Sequence, residues 1–454
     1  MTFRFKHSFF LILFFTGSLS FCFGQQGREQ CGSRVPDLKW ENEFQELIIR
    51  YTAQKEVLSA THTIPVVFHI LHSGQSIGTF PNLAAAQILS QITVLNQDLA
   101  GAGTFVSKYP SDAFKDWAIN QSLPAANLDA KGRVKIADFG ITFCAAIKDE
   151  QGKTLAEPGI DRIDITAKGW TNPASITDVY KLIGYFDSFI KPGSIWDPSK
   201  YLNIWVSDKH SAILFAGYAS MPPLSTLAGT SAIGTDTTDG VWCSATALGS
   251  YLIYPGGSYV SSGVIGQVTT HEVGHWLGLR HIWGDATCGT DYCNDTPPAI
   301  DANTASPVYP HNVGGCTTPS NSPDGEMFMN FMDYTYGDGK YMFTTDQANR
   351  AQTAMLNSPL RKFLGTHGIC EPTSIKENNT SKTEPYIYPN PSNDKVNIQL
   401  NGQNLVSVSI YNSTGMQVRN NLSDSFSIKD LAAGLYFLLI KTEQGTYSRK
   451  MIKQ

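Results

Sequence analysis

The sequence predicts an α+β module followed by a small all-β sandwich, and three observations carry that expectation. Short β-rich runs and an amphipathic helical stretch succeed one another through the first half of the chain. A polar, histidine-rich segment from His271 to His281 begins with helical spacing and has a glycine near its end. From Tyr386 onward, short alternating strands follow one another between glycines. A chain of 454 residues, 42% hydrophobic, suits two or three domains with a sizeable core.

Taken in order, Arg4, Lys6 and His7 precede an apolar run from Phe9 to Phe15, and small residues follow to Gly24. That is a signal peptide over residues 1–24. Cys22 raises a lipoprotein alternative, against which stands the bulky Phe21 before it. Residues 25–57 are polar, with Leu38, Trp40, Phe44, Leu47 and Ile48 near helical spacing, and read as a pro-segment. The main domain is expected over 58–370. Thr63–Leu71 makes a first strand, in which His69 and His72 read as packing or surface residues. Ile88, Ile92, Val94, Leu95 and Leu99 mark one side of a helix over 83–99. Strands are expected at 134–146 and 201–206. The stretch 222–262, rich in Gly, Ser and Thr, reads as irregular with a strand near 240–243. The histidine-bearing helix is expected from near Ser262 to Gly278, and a closing helix over 341–364. Residues 371–385 form a polar linker. The sandwich over 386–454 takes its strands at 396–400, 406–411, 426–428, 435–441 and 447–452.

The chemistry concentrates in His271-Glu272-Val273-Gly274-His275-Trp276-Leu277-Gly278-Leu279-Arg280-His281. On a helix His271 and His275 leave the same face and can grip one ion. Gly278 tolerates positive φ, so the backbone turns and brings His281 back as a third nitrogen. Three neutral imidazoles and a water describe an open, water-activating zinc centre, with Glu272 placed to move the proton. Downstream, Met329-Asn330-Phe331-Met332-Asp333-Tyr334 supplies Met332 as an apolar floor beneath the ligands, and Tyr334 within reach of the ion or a developing oxyanion.

The loop after the helix collects Gly284-Asp285, Asp291 and Asn294-Asp295-Thr296. A calcium site and an Asx-rich turn without an ion are equally good readings of it. Of eight cysteines, seven remain after leader removal. Most should pair in an exported protein, at least one bridge should staple 288–316, and the odd number leaves one thiol over. A net charge of −5 with no basic stripe excludes nucleic acid as a partner, and no later apolar run spans a bilayer.

HEVGHWLGLRH together with MNFMDY resembles the pappalysin branch of the metzincins in its compact microbial form, and IPVVFHIL, YLNIWV and NDTPP resemble that family's landmarks over roughly residues 60–365. The resemblance implies a two-subdomain zinc protease module acting on proteins or peptides. It places His271, His275 and His281 on zinc, Glu272 as general base, Tyr334 near the transition state, and calcium around Asp291 and Thr296. Two departures stand out. Relatives carry a cysteine shortly after the methionine turn where this chain has Thr335–Lys340, and the acidic residue of arginine-specific relatives has only an offset counterpart in Asp338. YPNPSNDKVNI and the basic end of the chain resemble the sorting domain of the type IX secretion system, which implies export through the periplasm to the cell surface or medium. Cys31 in Cys31-Gly32-Ser33-Arg34-Val35-Pro36-Asp37 resembles a cysteine switch, a thiolate that would fill zinc's fourth position in a latent form; the alternative pairs Cys31 with another cysteine such as Cys370. Against a secreted zinc endopeptidase stands a second reading, an inactive surface adhesin on a metalloprotease fold.

Overall fold

The computed structural model describes residues 30–34, 36–53, 61–224, 232–316, 323–370, 385–412 and 417–453. The expected signal peptide with Cys22, parts of the expected pro-segment and all but the end of the expected linker lie outside the described residues. The chain divides into two compact units, Met1–Glu371 and Pro372–Gln454.

In the larger unit β1 (Gln30–Cys31) and α1 (Leu38–Thr52) precede β2 (His62–His72). Then come α2 (Ala85–Leu99), the short α3 (Lys115–Asn120), β3 (Ile141–Ala145), β4 (Ile160–Asp164) and α4 (Val179–Tyr185). β5 (Leu202–Ser207), β6 (Phe215–Ala219), β7 (Val241–Ser244), α5 (Gln267–Trp276) and α6 (Thr345–Asn357) complete it. The strands lie in the order β1-β6-β7-β5-β2-β3, with β4 also on β2, and every pairing is parallel except β6 with β7.

β2 sits inside the sheet and is covered on both faces, which is why its sequence is a continuous apolar run rather than an alternation. Alternate residues serve opposite faces. Ile64, Val66, Phe68 and Ile70 pack with Ile88 and Leu95 of α2 and with Val273 and Trp276 of α5. Leu71 faces the other way, into a smaller cluster with Leu182 of α4, Trp205 and Trp242. Helix α5 is thereby clamped between sheet and α2, every residue after Val268 buried.

Several expected boundaries move. Helix α5 starts at Gln267 and not near Ser262, because Gly266 holds φ +88° with the Val94 side chain where a Cβ would stand. The expected strand at 134–146 begins only at Ile141: Val134 bridges Leu128, and Gly140 at φ +63° breaks the run between. The closing helix covers 345–357 within the expected 341–364, started by the Thr344–Gln347 capping box and stopped at Ser358, whose extended backbone precedes Pro359. Disulfides join Cys144 to Cys370 and Cys288 to Cys316. Among the described residues three cysteines, not one, stay outside them: Cys31, and the buried Cys243 and Cys293.

The C-terminal unit is a two-sheet sandwich. Its strands are β8 (Tyr386–Tyr388), β9 (Lys395–Gln399), β10 (Leu405–Asn412), β11 (Gln417–Arg419), β12 (Ser425–Ser427), β13 (Gly434–Thr442) and β14 (Gly445–Lys453). One sheet runs β11-β10-β13-β14 and the other β12-β9-β8. Inward residues Val396, Ile398, Val408, Ile410, Leu438 and Ile440 form the core between them.

Candidate active site

Helix α5 carries His271 and His275 one turn apart, and Gly278 at φ +93° turns the chain so that His281 joins them. The Nε2 atom of His275 lies 3.2 Å from that of His271 and 3.1 Å from that of His281. The opposite nitrogens are all committed. His271 Nδ1 lies 2.7 Å from the Phe331 carbonyl and His275 Nδ1 2.9 Å from the Leu279 carbonyl. Carbonyls only accept, so both Nδ1 atoms carry the proton. His281 Nδ1 lies 2.5 Å from Asp285 Oδ1. Burial opposes ionisation of Asp285, but the His281 hydrogen bond and the charges around it hold its carboxyl below the usual range, so it too accepts. The three Nε2 atoms therefore point at one another, that of His275 within hydrogen-bond distance of both others. Burial, and then the neighbouring imidazoles, push His271 well down and His275 to about 3, so neither takes up a proton to relieve the contact. A cation relieves it. Three buried imidazoles, two on the helix and one beyond its turn, each oriented through its other nitrogen, fit zinc.

Glu272, next on the helix, is buried against β6: a Cβ on Gly217 would stand 2.6 Å from its Cγ, so only glycine fits there. Burial pushes its carboxyl up to about 7, against hydrogen bonds from Ser33 and Cys31. Those two residues arrive on the stretch around β1, ahead of α1. β1 runs parallel to β6, with Gly32 N donating to Gly217 O at 2.8 Å. Ser33 Oγ donates to Glu272 Oε2 at 2.8 Å and accepts from Ala219 N at 2.8 Å, while Cys31 Sγ lies 3.3 Å from the same Oε2. Cys31 Sγ and one ring nitrogen of each of the three histidines all lie within 4.8 Å of one another. Tyr334 joins from the far side, its hydroxyl 3.2 Å from His281 Nε2. Burial first, then the neighbouring Cys31 and Glu272, keep that hydroxyl protonated far above the usual range. Met332 is fully buried below, and Gly274 leaves its sulfur room, since a Cβ there would stand 2.5 Å from Sδ.

The other expected residues fall elsewhere. Asp291 and Thr296 are buried together, with Thr296 Oγ1 2.8 Å from each Asp291 carboxylate oxygen and Cys293 N donating to Oδ1 at 3.0 Å. Asp338 lies at the rim of a cavity of about 600 Å³ beside Glu272, its carboxylate mostly exposed and 2.7 Å from Lys108 Nζ. His69 is not a ligand candidate: buried in β2, it places Nδ1 2.8 Å from Asp161 and Nε2 2.9 Å from Asn203. Sequence reasoning missed Ser33 and Lys340, and read Asp285 as part of either a calcium loop or an Asx-rich turn. Asp285 had a signal, standing four residues after His281. Lys340 had none; its buried ammonium, lowered to about 8 by burial, donates to Asp333 O at 3.2 Å and lies among the residues lining the cavity.

Residues 184–356 match the family described as pregnancy-associated plasma protein-A, and residues 386–454 match the secretion system C-terminal sorting domain. Mature mirolysin of Tannerella forsythia, solved in complex with a cleaved peptide, is 30% identical, with 69% of this chain and 99% of that chain covered and a TM-score of 0.51. A promirolysin mutant from the same organism is 29% identical over 76% of this chain and 100% of its own, with a TM-score of 0.54. An extracellular metalloprotease of Colletotrichum graminicola is 40% identical over 98 residues, and one of Neurospora crassa 36% over 101 residues. The matched stretch is 21% and 22% of this chain and 33% of each relative, so the chain spans about a third of the length of these curated relatives.

Proposed function

The chain belongs to the pappalysin-type metalloproteases, and on that premise we propose that it is an exported zinc endopeptidase made as a latent precursor. The sorting domain makes it a secreted or cell-surface protein. The observation that carries the peptidase reading is the set of three Nε2 lone pairs turned on one another beside Glu272. Zinc bound by His271, His275 and His281 supplies Lewis acidity, lowering the pKa of water and polarising a carbonyl. The chain's own groups do the rest. Glu272, with its carboxyl near 7, takes the proton of the attacking water and passes it to the leaving amine nitrogen. Tyr334, kept protonated by burial, donates its O–H to the oxyanion. The outer edge of β6, with Gly217 O and Ala219 N turned outward, offers the substrate backbone a strand to pair with.

In the latent form that same edge is taken by β1, and Glu272 Oε2 is engaged by Ser33 and Cys31. Burial and then Glu272 hold the Cys31 thiol protonated. As a fourth zinc ligand it would give that proton to Glu272, 3.3 Å away. Removal of residues 25–57 frees strand edge and base together. The promirolysin likeness covers 76% of this chain and the mature likeness 69%, and the difference of 7% of 454 residues is about 32, the length of such a segment.

With the pro-segment removed, Glu272→Ala should retain one zinc per chain and lose at least about 10²-fold in peptide hydrolysis. Equal turnover in the variant would exclude Glu272 as the base, and a wild type that binds zinc but releases no peptides from casein would favour the adhesin. Calcium belongs to the proposal at Asp291 and Thr296. Burial pushes the Asp291 carboxyl up to about 7, and a bound cation would restore its charge. Calcium should raise the Tm of the wild type and not of Asp291→Asn; no rise in either discards the site.

A further inference from the structure

Helix α1 is seated on a surface made for it. Trp40, Glu41 and Phe44, at i, i+1 and i+4, have no exposed surface. The two rings pack with Met221, Leu224, Ile233 and Ala354. Between them Glu41 meets two guanidiniums. Its Oε1 accepts from Arg350 Nη1 at 2.6 Å, and its Oε2 from Arg350 Nη2 at 3.2 Å and Arg280 Nη1 at 3.4 Å. The arginines are held by the catalytic unit itself. Arg350 donates through Nε and Nη2 to the Gly278 carbonyl at 3.2 and 2.9 Å, and Arg280 stands 3.9 Å from Asp285. Gly278 completes the wall. A Cβ there would lie 2.9 Å from Phe44 Cε1, so the glycine that turns the chain toward His281 also makes room for the ring. Arg350 lies 4.8 Å over that ring.

The contact does not involve zinc or Glu272, and its chemistry selects a ligand. A planar guanidinium fork matches a carboxylate in two-point contact, and the flanking apolar hollows match aromatic rings. Without the carboxylate, Arg350 keeps the Gly278 carbonyl and the neighbouring Asp291 but no ion pair, so this surface favours an occupant that brings a negative charge.

We propose that the seat of α1 is a peptide-binding site in its own right, taking a helical segment with one carboxylate between two aromatic side chains. Its first occupant is residues 38–52, which stay bound after the chain is cut downstream of Thr52. Cutting and activation are then separate events, and the second requires removal of α1. The proposal rests on the reading that the pro-segment is cleaved.

The test needs no turnover. In the full chain carrying Glu272→Ala, a specific protease site is placed between residues 53 and 61 and cut to completion, and retention of the pro-segment is followed by native mass spectrometry and size exclusion. The cut segment should remain, one per chain, with Cys31→Ser retained as well, while Glu41→Gln raises its dissociation rate about tenfold or more. Loss of the wild-type segment as fast as the Glu41→Gln segment overturns the proposal, as does release by Cys31→Ser alone. Because Glu41→Gln can disturb precursor folding, the substitution is repeated in trans. A synthetic peptide of residues 38–52, followed by Trp40 fluorescence, should bind the stripped Glu272→Ala protein, and its Glu41→Gln version should bind about tenfold more weakly or worse. Equal binding of both peptides also overturns the proposal. Failure here leaves the peptidase reading intact, since that reading stands or falls on peptide release by the wild type.

Discussion

The two sides of helix α5 both carry buried polar groups and behave in opposite ways. Toward the cleft it presents His271, Glu272 and His275, the Nε2 atoms of the two imidazoles 3.2 Å apart with the Glu272 carboxylate beside them. Toward the core it presents Thr270 and Trp276, each already answered. Trp276 Nε1 donates to Asp239 Oδ2 at 3.0 Å, and Arg361 lies 3.7 Å over the indole while gripping both Asp239 oxygens at 2.7 and 2.8 Å. Thr270 Oγ1 donates to Asp98 Oδ2 at 2.7 Å. The core side is closed without a ligand; the cleft side leaves its donors mutually repelling. An active site of this kind stores its demand for a ligand in one face and draws its rigidity from the other.

The largest way to break that contrast is to exchange the consequences. On the cleft side, His275→Ala should abolish zinc binding and activity while leaving the fold and its near-ultraviolet circular dichroism intact. On the core side, Asp239→Asn leaves Arg361 buried without its countercharge and should cost about 3–5 kcal/mol of stability in denaturant titration. At temperatures where that variant is folded, it should still bind zinc. A His275→Ala protein that unfolds, or an Asp239→Asn protein as stable as wild type, would mean that the two sides do not divide the work this way.

The contrast also separates what could be read in the sequence from what could not. The cleft side was legible because its partners lie within one short segment: the helical period brings His271 and His275 together, and one glycine returns His281. The core side was not, because Asp239 and Arg361 are 122 residues apart, and Asp98 and Thr270 are 172 apart. The pairing of Glu41 with Arg350 spans 309. Among strands, the long run at 62–72 and the alternating sandwich strands were plain. β6 was missed because Phe215–Ala219 is buried on both faces and mixes small with large residues, leaving no period. β1 is only two residues long and exists because β6 offers it an edge. Asp285 was visible but given to a calcium loop or a turn, since an Asp after Gly in an acidic loop reads so until the imidazole beside it is known.

The smallest effect sharpens the comparison on the core side through pH. Asp98 is nearly fully buried behind α5, and burial pushes its carboxyl from about 4 up to about 7, only partly offset by the Thr270 hydrogen bond and the charge of Lys340. Below pH 4 it is protonated in the folded and unfolded chain alike and costs nothing. Between about 4 and 7 the unfolded chain releases the proton while the folded chain keeps it, so the folded state binds more protons and its stability falls as pH rises. Above 7 the folded form ionises too, and the loss is complete and constant. Asn at this position accepts the same Thr270 hydrogen bond through its Oδ1 and has no charge to bury. The Tm of Asp98→Asn minus that of the wild type should therefore grow steadily from pH 4 to pH 7 and then level off. A difference that stays flat across that window would mean that the folded chain does not hold this carboxyl protonated, and that its burial behind the helix costs nothing.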